Sequence, residues 1–451
     1  MPMSFEHLKT IYRDFDIRGK YPDEITDDEV HKIAKALTLH YQVKTVAIGY
    51  DVRPSAHSLF TALSRGFIES GVNVLDLGRC TTPMSYYMCG STSVDMTVMI
   101  TASHLPSDYN GLKITVADAR PVTGDVLQII REIVGTHTFS EEVTHGTITS
   151  HALQKDWIER FKKEHDLSGS GLSVVIDPAN MIGILEIDTF RAFEPDITVH
   201  TIFDTYDHTC PNHEANPIKH EALASLGEEV VCKGADLGIA FDGDADRVGF
   251  VDEVGRPVPS DLIGALLARV ILKEHPGATI VTDVRSSRSL VAEVERNGGQ
   301  IVREKVGHTH IRMRMRKEDA VLGIELSGHF FFKQSYFSEG GPLPAFLIME
   351  LMKAEKRPLS ELISEVRQYR HSGEINSHIT RSAEDIYADL IAAFPGMAVS
   401  RQDGLTLESE EWWCNVRPSA NDPVMRLNLE AIDEEIMTAK RDAVLSIVRR
   451  G

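Results

Sequence analysis

The 451-residue sequence lacks several features that assign a protein to a class at first sight. Its five cysteines are scattered and odd in number, and they show no spacing of the kind that binds a metal. The N-terminus does not read as a signal peptide, and no apolar run reaches the roughly eighteen residues that cross a membrane. We therefore expect a cytoplasmic protein without a membrane partner.

The sequence also lacks the basic region that binding to nucleic acid requires. Its formal net charge is −20, and its densest basic stretch, RMRMRK at 312–317, is expected to be the exposed face of a helix. We predict no nucleic-acid partner. An anionic ligand would need a local cluster of cationic side chains, because the overall negative charge opposes its approach.

The length of the chain argues against a single core and suggests three or four domains. Strand and helix patterns alternate from residue 44, and the alternation restarts at 172 and again at 278. From about residue 369 the two patterns alternate without this regularity. The predicted fold is α/β, with three βαβ-type mixed-sheet domains and a C-terminal α+β domain, at 1–150, 151–255, 256–368 and 369–451.

The segment FDGDADR at 241–247 places three carboxylates at alternate positions, Asp242, Asp244 and Asp246. The flanking segments LGIAF and VGFVD predict a tight loop between two strands. A calcium EF-hand is excluded, because its sixth position needs a glycine and Arg247 stands there. The crowded carboxylates and the arginine favour Mg²⁺ beside a phosphate, and the alternative is a solvated acidic turn.

Two further loops follow predicted strands and carry polar side chains. In TASHLPSDYNGLK at 101–113, Ser103 fits a nucleophile, a phosphate carrier or a simple turn, and no GxSxG hydrolase motif is present. In GIELSGH, extended backbone would point Glu325, Ser327 and His329 the same way. That set suits sugar hydroxyls, and the alternative is an edge strand with polar residues facing out.

A third loop, VRPSANDPVMR at 416–426, surrounds a turn bounded by prolines. It offers groups that bind phosphate oxygens, and the alternative is a solvated turn with ordinary surface arginines. The residues concerned are Arg417, Ser419, Asn421 and Arg426.

Together and in this order, these loops resemble those of the α-D-phosphohexomutase superfamily, in its phosphomannomutase/phosphoglucomutase branch. TASHLP resembles the family's phosphoserine loop, DGDADR its metal loop, GIELSGH its sugar loop and RPSANDP its phosphate loop. The elements DIRG at 16–19 and YNGLK at 109–113 also match. The resemblance covers essentially the whole chain and implies four domains around a central cleft.

The resemblance implies an isomerase-class enzyme that moves a phosphoryl group between C1 and C6 of mannose or glucose. It implies that Ser103 carries the phosphoryl group, that Ser103 and the three aspartates bind Mg²⁺, and that hexose 1,6-bisphosphate is intermediate and activator. Lys113 and His329 are the implied proton-transfer groups, with Arg18 lowering the pKa of Lys113. The other residues implied near the reacting phosphoryl group are His104, Arg247 and His308. The implied substrate-binding residues are Arg18, Arg285, His308, Glu325, Ser327, His329, Arg417, Ser419, Asn421 and Arg426.

The chain departs from the family pattern at four places. Leu105 stands where the family usually has Asn, and Arg285 where it has Lys. Asn421 or Asp422 stands where the family usually has Thr, and the single acid Glu339 stands where it often has an acidic pair. The alternatives are a phosphoglucosamine mutase and a non-catalytic phosphosugar-binding paralogue. The expected partners are small-molecule hexose phosphates, and the expected state is a monomer or a homodimer.

Overall fold

A computed structural model of the chain describes residues 10–13, 15–139, 145–419 and 424–450. Four β-sheets are present in these described residues. The first three are mixed sheets with helices, and the fourth is antiparallel. The predicted α/β fold, with three mixed-sheet domains and a C-terminal α+β domain, is confirmed.

The first domain has its sheet in the order β1-β5-β4-β2-β3-β7, with β6 pairing β5. Its strands β1 to β7 are Ile17–Lys20, Thr45–Tyr50, Asn73–Arg79, Met96–Ile100, Tyr109–Val116, Arg120–Pro121 and Ile148–Ser150. Its helices α1 to α4 are Asp27–Tyr41, Ala56–Glu69, Thr82–Ser91 and Gly124–Thr136. Strands β4, β2, β3 and β7 are parallel, β5 is antiparallel to β4, and β1 is antiparallel to β5.

Local sequence explains the start and the orientation of helix α1. Thr26 and Glu29 form a capping box, in which each side chain accepts a hydrogen bond from the other residue's main-chain amide. Val30, Ile33 and Leu37 then recur at helical spacing and are buried. This stripe turns the helix towards the core of the first domain.

The second domain has the sheet order β12-β11-β10-β8-β9. Its strands β8 to β12 are Ser173–Asp177, Thr198–Thr201, Leu237–Phe241, Val248–Asp252 and Pro257–Val258, and its helices α5 to α7 are Leu153–Glu164, Ile184–Arg191 and Ala224–Lys233, with a 3₁₀ turn at His220–Leu223. Strand β12 pairs β11. The second sheet therefore extends past the expected boundary at residue 255, because its last hairpin closes only at β12.

The third domain has the sheet order β14-β13-β15-β16-β17. Its strands β13 to β17 are Thr279–Asp283, Gln300–Glu304, Leu322–Ile324, Phe330–Phe332 and Ser338–Glu339. Its helices α8 to α12 are Ser260–Glu274, Arg288–Arg296, His308–Glu318, Leu343–Glu355 and Leu359–Val366, with a 3₁₀ turn at Lys333–Ser335.

The fourth domain has an antiparallel sheet in the order β18-β22-β21-β20-β19. Its strands β18 to β22 are Arg370–His378, Ala398–Ser400, Leu405–Glu408, Trp412–Pro418 and Val424–Ala431, and its helices α13 and α14 are Ala383–Ala393 and Glu434–Val448. Pairing of β21 with β22 places Arg417 directly opposite Arg426. Two of the predicted phosphate-binding residues thus lie side by side.

The first three domains share one continuous cluster of buried apolar side chains, which includes Met84, Phe250 and Phe346. The fourth domain has a cluster of its own around Leu427. Polar contacts join it to the third domain, such as the 2.9 Å hydrogen bond from Arg288 Nη2 to Glu408 Oε1. The sites at the boundaries between the first three domains are therefore built on a common core.

The basic stretch 312–317 lies in helix α10, as predicted, but its expected exposure is wrong at Arg312. The Arg312 guanidinium is buried and lies 4.3 Å from the ring centre of Tyr86 in the first domain. Its Nη2 donates to the Ala119 carbonyl at 2.5 Å and to Ser338 Oγ at 2.7 Å. The inner face of this helix therefore carries an arginine, which contacts Tyr86 and the Ala119 carbonyl of the first domain.

Two expectations from composition concern cysteines and membranes. All five cysteines are free thiols. Among the described helices, none is long and apolar enough to cross a bilayer.

Candidate active site

Ser103 lies in the loop that follows β4. Its side chain is buried, and its backbone is left-handed, with φ of 53°. The Ser103 amide donates to Thr101 Oγ1 at 2.9 Å. A non-glycine residue in this conformation costs free energy, so the surrounding structure must hold it there.

The side chain that holds this loop is Arg53, which follows β2 and is buried. Its Nη2 donates to the carbonyls of Ser103 at 2.7 Å and Leu105 at 2.6 Å. Its Nη1 donates to the carbonyls of Pro106 at 2.6 Å and Tyr109 at 2.9 Å. One guanidinium therefore fixes four main-chain oxygens of the serine loop.

The three aspartates lie in the hairpin loop between β10 and β11, as predicted. Asp242 Oδ1 accepts from the amides of Asp246 at 3.1 Å and Arg247 at 3.2 Å, which folds the loop back on itself. A Cβ atom on Gly243 would lie 2.2 Å from the Ser103 carbonyl oxygen. Only glycine at this position lets the aspartate loop contact the serine loop.

Contacts between the first two domains converge on the aspartates. Ser103 Oγ donates to Asp242 Oδ2 at 2.8 Å. Lys113 Nζ donates to Asp244 Oδ2 at 2.5 Å and also to Asp246 Oδ2, and Thr82 Oγ1 donates to Asp244 Oδ2 at 2.6 Å. The serine, the lysine and the acidic loop thus form one buried group.

The aspartates suit a divalent cation. One oxygen from each of them lies within 4.8 Å of the others, and all three residues are buried. Asp244 Oδ1 is buried without a hydrogen-bond partner among the described residues. Hard cations such as Mg²⁺ take clustered carboxylate oxygens of this kind. The acidic triad is therefore a metal-binding group.

Burial lowers the pKa of the Lys113 ammonium, but Asp244 and Asp246 outweigh burial and raise this pKa well above its ordinary value. The prediction that Arg18 lowers the pKa of Lys113 is therefore wrong. Arg18 instead pairs with Asp16. Burial raises the pKa of Asp246, but the Lys113 and His329 cations hold it well below its ordinary value.

The sugar loop does not have the predicted extended backbone. Strand β15 ends at Ile324, and a turn follows, in which Gly328 has φ of 87° and donates from its amide to the Glu325 carbonyl at 3.0 Å. The turn nevertheless brings the predicted side chains together. Ser327 Oγ lies 2.9 Å and Glu325 Oε2 3.0 Å from His329 Nδ1.

Three histidines at the site differ in charge. Burial lowers the pKa of His329, but Asp246, whose Oδ1 is 3.3 Å from Nε2, outweighs burial and raises this pKa to about 9. Burial and nearby Arg247 lower the pKa of His104 to about 2. Burial and nearby Lys113 lower the pKa of His308 well below its ordinary value. His329 is therefore an imidazolium at neutral pH, and its neighbours are neutral.

The predicted phosphate-binding arginines gather around one carboxylate. Glu374 Oε2 lies 3.4 Å from Arg285 Nη1 and 3.3 Å from Arg417 Nη2. Glu374 Oε1 lies 3.3 Å from Arg426 Nη1, and Arg426 Nη2 donates to Ser419 Oγ at 3.3 Å. Asn421 and Asp422 lie outside the described residues.

Comparison with known proteins places the chain in a family. Models of the phosphoglucomutase/phosphomannomutase alpha/beta/alpha domains I, II and III match residues 9–141, 155–255 and 259–369. A phosphomannomutase of Salmonella typhimurium is 34% identical over 453 residues, which cover 98% of this chain and 99% of the relative. The chain belongs to the phosphoglucomutase/phosphomannomutase family.

A phosphomannomutase of Methanocaldococcus jannaschii is 30% identical over 446 residues and 98% of each chain. A crystal structure of a phosphoglucomutase/phosphomannomutase family protein from Burkholderia thailandensis has a TM-score of 0.89 at 28% identity, with 97% of each chain covered. The predicted superfamily and the predicted enzyme class, a phosphohexomutase among the isomerases, are confirmed.

Sequence reasoning missed three groups that this phosphohexomutase uses to build the site: Arg53, Thr82 and Glu374. Each contacts residues that are far away in the sequence. A signal for Arg53 was present, because DVRPS directly follows the first strand pattern, which begins at residue 44, in the position where α/β proteins place functional loops.

Two of the family departures can be placed in the phosphohexomutase structure. The main-chain oxygen of Leu105 is bound by Arg53, so the loop does not depend on the side chain at this position. Glu339 is buried, with its carboxylate 3.9 Å from His308 Nδ1 and from Arg312 Nη1. This single acid is therefore buried beside His308 rather than exposed to solvent.

Proposed function

We propose that this phosphohexomutase interconverts the 1-phosphate and the 6-phosphate of a hexose, with mannose and glucose as the substrates. The names of the phosphomannomutase relatives support mannose. The observation that carries the proposal is the contact of Ser103 Oγ with Asp242, 2.8 Å apart, inside a buried group that also holds Lys113. A serine in that position is suited to carry a phosphoryl group beside a metal.

In the proposed reaction, a free hydroxyl of the hexose phosphate attacks phosphorus on Ser103. A new P–O bond forms to the sugar, the bond from phosphorus to Ser103 Oγ breaks, and a hexose 1,6-bisphosphate results. The attacking hydroxyl gives up one proton, and Oγ gains one. Lys113 and His329 both carry protons, which suits either as the donor to Oγ, and the group that has donated can take up the proton of the attacking hydroxyl.

The same residues act in reverse in the second half of the reaction. The bisphosphate turns over, its other phosphate returns to Ser103, and the isomer leaves. Hexose 1,6-bisphosphate added from outside would restore the phosphoryl group whenever it is lost, which explains the proposed activator. His104 and Arg247 flank the transfer, and Arg18 contributes positive charge to the same region, as its effect on His104 indicates.

Asp242, Asp244 and Asp246, with an oxygen of phosphorylated Ser103, would hold one Mg²⁺ ion. When bound, the ion neutralises charge on the transferring phosphoryl group. Lys113 contacts Asp244 and Asp246, and against the effect of burial it holds the pKa of Asp246 well below its ordinary value.

Substrate binding is divided between the third and fourth domains. We assign Glu325 and Ser327 to the sugar hydroxyls, because the turn holds both beside His329. The phosphate that does not react is assigned to the arginine-rich group of the fourth domain and its neighbours, namely Arg285, Arg417, Ser419, Asn421 and Arg426. This division lets the sugar bind in either orientation.

The test is turnover with defined sugars. The protein is incubated with Mg²⁺, a trace of glucose 1,6-bisphosphate, and mannose, glucose or glucosamine 1-phosphate. We expect the 6-phosphate to form from mannose and glucose. Turnover of glucosamine 1-phosphate alone would favour a phosphoglucosamine mutase, and tight binding without turnover of any of them would favour a phosphosugar-binding protein.

We also propose that the enzyme acts in the cytoplasm as a monomer or a homodimer. The five free thiols support a reducing compartment. Light scattering of the purified protein tests the oligomeric state, and a stable tetramer would contradict it.

A further inference from the structure

Glu374 links the third and fourth domains through ion pairs with arginines. It lies on β18 next to an irregularity in the pairing with β22, between His371 and Glu374. Its carboxylate faces Arg285 of the third domain and Arg417 and Arg426 of the fourth, at 3.3 to 3.4 Å. A quarter of its side chain is exposed, so the group is reachable from solvent.

The three arginines are held as an anion-binding group rather than as ordinary surface residues. The Arg285 guanidinium is fixed by Asp283, whose Oδ2 accepts from Nη2 at 2.7 Å and also from the Leu326 amide of the sugar loop at 3.0 Å. Arg417 is buried, and its Nε is without a hydrogen-bond partner among the described residues. The group is therefore preorganised and has donor capacity left.

The Glu374 carboxylate divides its oxygens between these arginines as a phosphate would. One oxygen faces Arg285 and Arg417, and the other faces Arg426. Removal of the Glu374 charge would take away the carboxylate that all three guanidinium groups share, which favours any added anion more strongly.

We propose that Glu374 is a resident anion that competes with the substrate's non-reacting phosphate for Arg285, Arg417 and Arg426. The inference rests on the proposed function, in which these arginines bind that phosphate. The bisphosphate must leave this group between the two halves of the reaction in order to turn over. Glu374 replaces the departing phosphate as partner of the arginines, so release does not leave three cations unpaired.

The proposal predicts opposite effects on binding and on turnover. In Glu374→Gln, which keeps the shape and removes the charge, inorganic phosphate should bind roughly five-fold more tightly. The KM for mannose 1-phosphate should fall, and kcat should fall with it, because release becomes slower. A residue that only supports the domain interface would raise KM instead.

The experiment measures inorganic phosphate binding by calorimetry, together with kcat and KM. Glu410→Gln is the matched control, because it removes the charge of an exposed glutamate at the other end of β21; it should bind phosphate as the unmodified protein does. Glu374→Asp, which keeps the charge, should bind phosphate less tightly than Glu374→Gln does.

Unchanged or weaker phosphate binding in Glu374→Gln would overturn the proposal. If Glu374→Gln does not fold, tighter phosphate binding by Glu374→Ser than by the unmodified protein supports the proposal, and equal or weaker binding overturns it. Failure of the proposed function would appear as absent turnover in the unmodified protein. It can be distinguished from failure of this inference, because phosphate binding is measured without turnover.

Discussion

A single side chain, that of Arg53, holds the conformation of the serine loop. Its four hydrogen bonds to main-chain oxygens hold Ser103 in a left-handed conformation. Lysine keeps the charge but offers a single nitrogen in place of the fork.

We therefore expect Arg53→Lys to lose roughly a hundred-fold in kcat, in the range found when positioning groups are lost. The variant should bind Mg²⁺ as before, since the aspartates are unchanged. Arg65→Lys, on the exposed side of α2, is the matched control and should keep full activity. Equal activity of both variants would show that Arg53 does not position the loop.

Glu186 is a residue whose ionisation couples to stability. Its buried carboxylate accepts from Trp157 Nε1 at 2.8 Å and from Thr81 Oγ1 at 2.9 Å. Burial raises its pKa from 4.5 to about 7, against the effect of these donors. Between these two values the unfolded chain releases a proton that the folded chain keeps.

The free energy of unfolding should therefore fall as pH rises from 4.5 to about 7, by about 3 kcal/mol for this group. Glu186→Gln removes the effect, so the stability of the variant relative to the unmodified protein should increase over the same range. Urea unfolding of both proteins at pH 5 and pH 8 measures this change in the free energy of unfolding. Parallel pH profiles of the two proteins would contradict the assignment.

At the scale of elements, helix α10 joins the third domain to the first through Arg312. Removing this guanidinium leaves the Ala119 carbonyl and Ser338 Oγ without their charged donor in a buried site. Loss of a partner to a buried polar group costs about 1–3 kcal/mol for each group.

Arg312→Met should therefore lower the free energy of unfolding by about 2–4 kcal/mol. Arg314→Met on the same helix removes only partly exposed ion pairs with Glu304 and Glu318 and should change it by less than about 1 kcal/mol. Chemical denaturation compares the two variants. Similar losses would mean that the buried contacts of Arg312 add nothing specific.

A strand or a loop was predictable where one continuous stretch of sequence contains all the residues that specify it. The segments LGIAF and VGFVD are strands β10 and β11, as predicted, and the aspartates lie in the hairpin loop between them. The turn at Glu325 was not predictable from alternation, because Gly328 breaks the strand after Ile324. The burial of Arg312 depends on a first-domain surface that no local pattern contains.

At the scale of the whole molecule, the site is an assembly of distant loops. Residues 103 and 242 meet through one hydrogen bond, and residues 113 and 246 through another. The resemblance to a family could indicate which residues belong together, but it could not give the charge state of Lys113. That state follows from two carboxylates of another domain.

In the proposed function, the same assembly would couple the metal to the phosphoryl group. Three aspartates on one loop leave a cation with few ligands, and Ser103 Oγ lies beside Asp242, where a phosphoryl oxygen would complete the set. The central claim is therefore that Ser103 is the residue that carries the phosphoryl group.

Peptide mapping by mass spectrometry tests this claim most directly. The protein is incubated with Mg²⁺ and glucose 1,6-bisphosphate, quenched and digested, in parallel with Ser103→Ala. We expect one phosphoryl group on Ser103, its discharge by added glucose 1-phosphate, and neither label nor turnover in Ser103→Ala. A phosphoryl group on another residue, or full turnover by Ser103→Ala, would contradict it.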